Sequence, residues 1–307
     1  MTDRDFSPDL PPGSDDPQLA EELRTIGAAH APAVVRISVA EAISNNWLEI
    51  WYQSKIDLRR KCLAGAEALM RIRHPQDGVL WPETFIPETD EDGLAQLSEH
   101  ALLAMLRDWT TFAEAGFNLH LAMNVPANVL AKLPLAEFVA QNRPKTDTWP
   151  GLIIEITEDQ VVQHIELAQT LAPRFKESGV TIAVDGFGAG YSLVSSLRTL
   201  PFAELKLGNS FVKNCATDPN NAAICQTAID LAHRFGSAAV AEGIESMMDL
   251  QALVAMGCDF GQGPLVAPPM PQARFLELLR QRLNKPEPTA ADAAADASPA
   301  PSVGRVA

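Results

Sequence analysis

Short apolar runs recur eight times along the chain, and most of them end in a side chain able to bind a metal or a phosphate. They span 48–53, 63–71, 119–124, 152–155, 181–185, 203–206, 238–242 and, more weakly, 258–262. Between most of them, as at 94–115, 163–178, 221–235 and 247–256, apolar residues return at three- and four-residue intervals, which predicts helices. Eight strand-helix units in one domain predict an α/β fold, a (β/α)8 barrel of the TIM type. In such a barrel the C-terminal strand ends form one face, so seven of the runs should bring polar side chains together there. These are Gln53, Glu67 with Arg71, Asn124, Glu155, Asp185, Lys206 and Glu242. Capping or turn formation accounts for one such residue more readily than for seven.

The run at 181–185 leads into TIAVDGFGAGYS, in which Gly186, Gly188 and Gly190 follow a single acid, Asp185. Three glycines permit positive φ and close approach of a ligand. The stretch is either a functional loop or a plain turn after a core strand. Glu67, Leu69 and Arg71 alternate, so the period of two puts all three on one strand face. Read alone they make a buried ion pair. With Asn124, Glu155 and Asp185 arriving from neighbouring strands they make an all-oxygen site for a hard divalent ion, Mg²⁺ or Mn²⁺. Lys206 would stabilise phosphate charge, and Glu242 would act as a general base or a further ligand.

Composition narrows the partners. The 307 residues, 47% hydrophobic, are enough for one domain of barrel size, expected over 20–284. The Asp- and Pro-rich residues 1–19 and the Pro/Ala-rich residues 285–307 are expected to be disordered tails. A formal charge of −15 argues against binding a nucleic-acid polymer. Cys62, Cys215, Cys225 and Cys258 lack paired spacing and read as reduced thiols. With no apolar run near the ~18 residues that span a bilayer and an acidic N-terminus, a cytoplasmic protein without a membrane span is expected. Among the histidines, His74, His100, His120, His164 and His233 have no metal-ligand spacing. Trp47 and Trp51 beside the first strand read as packing residues, with base stacking near Gln53 left open.

The motifs together resemble the EAL family of bacterial cyclic di-GMP phosphodiesterases and receptors. They are EALMR at 67–71 with HPQDGVLWPETFIP after it, NV at Asn124, EITE at Glu155, VDGFGAGYS at 184–192, KLGNSFV at Lys206, AEGIES at 241–246 and CDFGQGPL at Cys258. The resemblance covers about 35–284. It implies a modified TIM barrel with an antiparallel first strand, two Mg²⁺ or Mn²⁺ ions, and hydrolysis of cyclic di-GMP to linear pGpG by metal-activated water. It also implies that Glu67, Asn124, Glu155 and Asp185 hold the first metal, and that Lys206, Glu242, Glu245 and Gln262 serve the second metal and the water. Gln53, Leu69 and Arg71 would contact the dinucleotide. A homodimer through the fifth and sixth strand ends is implied as well.

The chain departs from the family pattern where the second metal would sit. The second acid of the usual Asp-Asp-Phe-Gly-Thr-Gly is Gly186 and its Thr is Ala189; the acid after the catalytic lysine is Gly208; and the Tyr and Arg of the last motif are Pro264 and Pro268. The expected function is therefore a degenerate member, a cyclic di-GMP receptor or protein-interaction module with weak or no hydrolysis. An active phosphodiesterase, with water or Glu158 replacing the lost ligand, is the first alternative. A protein scaffold that binds no nucleotide is the second.

Overall fold

A computed structural model describes residues 38–188 and 197–283. The expected tails at 1–19 and 285–307, and Ala189, Gly190, Tyr191 and Ser192 of the glycine-rich stretch, lie outside the described residues. The strands are β1 (Leu48–Asp57), β2 (Cys62–His74), β3 (Gly78–Leu80), β4 (His120–Asn124), β5 (Leu152–Thr157), β6 (Val180–Phe187), β7 (Glu204–Leu207), β8 (Ala238–Ala241), β9 (Phe260–Gly261) and β10 (Met270–Pro271).

Eight of the strands close a ring in the order β1, β9, β8, β7, β6, β5, β4, β2, which returns to β1. β3 and β10 are short additions to β2 and β1. β2 and β4 to β9 run parallel to one another, whereas β1 is antiparallel to both β2 and β9. This is the modified barrel with a reversed first strand. The reversal corrects one expectation: Gln53 lies inside β1, which continues to Asp57, and not at a strand end. It still shares a level with Glu67, because the hairpin register sets Gln53 opposite Glu67, Trp51 opposite Leu69 and Glu49 opposite Arg71.

The helix predicted at 94–115 spans Glu91–Glu114, started by the Asp90 side chain accepting from Gly93 N–H. The helix expected at 163–178 is two, Glu158–Gln163 and Ile165–Ser178, the second ended by Gly179 at φ 81°. Pro219–Arg234 and Met247–Met256 match their patterns closely. Helices Ala127–Lys132, Leu135–Asn142 and Gln272–Leu283 join them around the ring.

The large apolar core lies between ring and helices and includes Tyr52, Met105, Phe112, Ile154, Phe175 and Phe275. Inside the ring the apolar content is thin. Ala122, Ile153 and Ala183 form a cluster of their own, on the strand faces that two residues later carry Asn124, Glu155 and Asp185. Below it lies a buried ion pair, Lys55 Nζ to Glu204 Oε1 at 2.6 Å, which the sequence pattern did not suggest. Above it lies the candidate site.

Candidate functional site

Lys206 stands at the centre of the upper lumen with only 1% of its surface exposed. Its Nζ lies 2.6 Å from Glu155 Oε2, 2.6 Å from Glu242 Oε1 and 3.3 Å from Glu67 Oε2. Two amides complete the cluster. Gln262 Nε2 donates to Glu67 Oε2 at 2.6 Å and to Glu242 Oε1 at 3.1 Å. Asn124 Nδ2 donates to Glu67 Oε1 at 2.9 Å and to Glu155 Oε2 at 3.2 Å. Side chains from six strands or strand ends thus meet, five of them residues of the strand-end pattern and the sixth Gln262.

One ammonium faces more negative charge than it can neutralise. Burial disfavours the charged form of Lys206, but Glu155, Glu242, Glu67 and Asp185 together hold its pKa well above the usual lysine value. Burial, then the charge of Glu67, lifts Glu155 well above the carboxylate range. Burial also pushes Glu242 up to about 8, with Lys206 opposing the rise. Glu67 is equally desolvated, yet Lys206 and the Gln262 bond bring it below its ordinary value. Asp185 adds a buried Oδ1 without a hydrogen-bond partner. It sits where the β6 register to β7 is interrupted between Val184 and Phe187.

Among the described residues, no three His, Cys, Asp or Glu side chains already converge as a metal site; the ammonium of Lys206 lies among the carboxylates. The donor chemistry nevertheless suits one hard cation. Glu67, Glu155 and Asp185 offer carboxylate oxygens and Asn124 an amide with one further oxygen, and the unpartnered Asp185 oxygen marks an unsatisfied position. For a second cation the fit is poor. A Cβ at Gly186 would meet no heavy atom within 4 Å, and one at Gly208 would meet only Gly186 Cα at 3.9 Å and Ser210 Oγ at 4.0 Å. Among the described residues, a side chain at either glycine would meet nothing closer than ordinary van der Waals contact.

The other candidates are spread more widely. Gln53 donates to Ala267 O at 3.2 Å. Leu69 is half-buried opposite Trp51. Arg71 is buried under Trp81, whose ring centre is 3.9 Å from its Cζ; Trp81 lies within the quoted motif, but no spacing rule singled it out. Glu245 is not part of the cluster: its carboxylate pairs with Lys213 at 2.9 Å and is 43% exposed. Glu158, the possible substitute ligand, accepts from Gly188 N–H at 3.0 Å.

The EAL domain family profile matches residues 36–269. The chain belongs to the EAL domain family. Among relatives of this EAL domain, the cyclic di-GMP phosphodiesterase PA2567 of Pseudomonas aeruginosa is 35% identical over 250 residues, which cover 80% of this chain and 42% of the relative. The cyclic di-GMP phosphodiesterase RocR of the same organism is 32% identical over 256 residues, covering 83% of this chain and 65% of RocR. The chain thus spans less than two thirds of either protein. Among solved structures, the PaMucR phosphodiesterase in complex with c-di-GMP matches with a TM-score of 0.71 at 29% identity, covering 84% of this chain and 99% of that one.

Proposed function

We propose that this EAL domain binds cyclic di-GMP and acts as its receptor or as a signalling interaction module, with weak or no hydrolysis. The similarity to phosphodiesterases of that nucleotide, and to a structure holding it, supports the ligand class. The observation that supports weak or no hydrolysis is glycine at 186 and 208, where among the described residues an added side chain would have room, beside an otherwise assembled cluster. The acids expected there by resemblance are absent. Loss of an outer-shell partner alone lowers metal affinity or activity by about 10- to 100-fold, and here a direct ligand and its neighbour are both missing.

Glu67, Asn124, Glu155 and Asp185 would hold one Mg²⁺ or Mn²⁺. When bound, such an ion supplies electrostatic stabilisation of phosphoryl charge. The chain's own contribution is to orient and neutralise: Gln53, Leu69 and Arg71 line the β1–β2 hairpin face for the dinucleotide, and Lys206 adds a fixed positive charge. Hydrolysis remains the second reading because Lys206, Glu242 and Gln262 are joined by hydrogen bonds and an ion pair. Glu242, raised to about 8, would take the proton of an attacking water below that pH only in its ionised fraction.

Calorimetry with cyclic di-GMP and Mg²⁺ tests the receptor reading, which no binding at about 100 μM, some −5.5 kcal/mol, would remove. Conversion to pGpG by the wild type is compared with that by the Gly186→Asp, Gly208→Asp double variant. Turnover confined to the double variant is expected. Wild-type turnover that disappears in Glu67→Ala would establish the enzyme instead.

A further inference from the structure

Arg71 is 2% exposed and its Nε has no hydrogen-bond partner among the described residues. Its Nη1 donates to Met70 O at 2.7 Å. The nearest opposite charges, Glu83 and Glu67, act on it through space and form no ion pair with it among the described residues. A buried cation is ordinarily paired. This one is instead stacked on aromatic faces, with Cζ 3.9 Å from the Trp81 ring centre and 5.6 Å from that of Trp51.

The two indoles differ in how they are held. Trp51 is 2% exposed, and its Nε1 donates to Glu49 Oε2 at 3.1 Å, an acid that Arg73 also grips. Trp81 is partly exposed and precedes the one-turn helix Pro82–Phe85, which begins without a side-chain cap. Of the two, Trp81 is the more exposed and has no side-chain cap at its helix start.

We infer that Trp81 is a displaceable cap: its indole covers the Arg71 guanidinium in the free protein and swings aside when an anionic phosphodiester takes the unpartnered Nε edge. The inference rests on the nucleotide-binding reading above. A cation–π contact is worth about 2- to 30-fold in an equilibrium. A hydrogen bond to a charged group is worth about 10- to 150-fold, so phosphate wins the exchange. The cap keeps the site closed to weaker anions and delays capture of the proper one.

Two measurements test it, one of which needs no nucleotide. Arginine modification by phenylglyoxal, mapped by peptide mass spectrometry, should leave Arg71 intact in the wild type while Arg59 and Arg60, with side chains 67% and 73% exposed, react. Trp81→Ala should bring Arg71 into reaction, and Trp81→Phe should fall between. Cyclic di-GMP should then bind Trp81→Ala about 2- to 30-fold more tightly than wild type. Equal protection of Arg71 in wild type and Trp81→Ala, or weaker nucleotide binding by a Trp81→Ala protein of unchanged Tm, overturns the cap. Should Trp81→Ala fail to fold, the Trp81→Phe protein decides: unchanged Arg71 reactivity there overturns the cap, and increased reactivity supports it. If no variant binds nucleotide while Arg71 reactivity still follows Trp81, the receptor reading fails and with it the displacement by a phosphodiester, while the cover of Trp81 over Arg71 stands.

Discussion

On the proposed reading, two single residues, Gly186 and Gly208, carry the difference between a hydrolytic site and a binding one. Gly208 has φ −63° and ψ 145° and begins the turn Asn209–Val212. That is an ordinary conformation for any residue, and Asp is a favoured helix N-cap. Gly186 has φ 72°, in the left-handed region. A side chain there has room but strains the backbone by about 1 kcal/mol, least for Asp or Asn. In urea unfolding, Gly208→Asp should therefore leave stability unchanged or slightly raised, and Gly186→Asp should lower it by about 1 kcal/mol. The reverse order would show that the bulge at Asp185 differs from the conformation described. Placing an acid at the two positions therefore makes different demands, since at 186 the left-handed turn must survive. The resemblance to the family motifs located both positions but could not distinguish their conformations, one beside the interrupted β6–β7 register and the other at a helix start.

At the level of strands and helices, much of the site was legible because period-two alternation links the interior of a strand to its end. Ile153 predicts the direction of Glu155, and Ala183 that of Asp185. The reasoning failed where a neighbour's geometry decides. Glu245 lies three residues beyond Glu242 in the same motif. But β8 ends at Ala241 and Ser246 caps the next helix, so Glu245 meets Lys213 at the surface. Trp81 over Arg71 depends on a fold-back after β3 that no periodicity reports. The Lys55–Glu204 pair was missed for a similar reason: Lys55 belongs to the reversed strand, so only the closed ring brings it to β7. Both partners are buried, with side chains 4% and 8% exposed. Lys55→Met should lower stability by about 3–5 kcal/mol by stranding Glu204. Lys55→Met with Glu204→Leu should recover most of that loss, as a double-mutant cycle in urea would measure. Because the pair lies at the opposite end of the lumen from Lys206, nucleotide affinity of the double variant should match wild type. A double variant as unstable as the single one would refute the pairing argument.

The whole molecule concentrates acid around one lysine, and this predicts how its stability responds to pH and to cations. Glu155 and Glu242 have folded-state pKa values above their ordinary ones, Glu242 at about 8. The folded protein therefore holds protons that the unfolded chain releases near pH 4.5. The stability this contributes is full below that pH and is lost as pH rises through about 8. On the proposed reading, a divalent cation would take over the role of those protons. The rise in Tm on adding Mg²⁺ should thus be larger at about pH 8.5 than at about pH 6, measured by calorimetry with EDTA as the reference. Equal rises at both pH values would disconnect the cation from these carboxylates. Among the described residues no helix is long and apolar enough to cross a membrane.

The ring closes through β1 and β9, and this ties the site to the timing of synthesis. The hairpin bearing Gln53, Glu67, Leu69 and Arg71 pairs within 27 residues, Leu48 to His74, and can form while the rest of the chain is still being made. Its partners arrive in sequence order: Asn124, then Glu155, Asp185, Lys206 and Glu242. Gln262, the amide on Glu67, comes last, 195 positions downstream. Until then Glu67 lacks its final donor and β1 one of its neighbours. A nascent chain stalled on the ribosome before Gln262 emerges would carry every carboxylate of the cluster and still have no closed ring to hold them together.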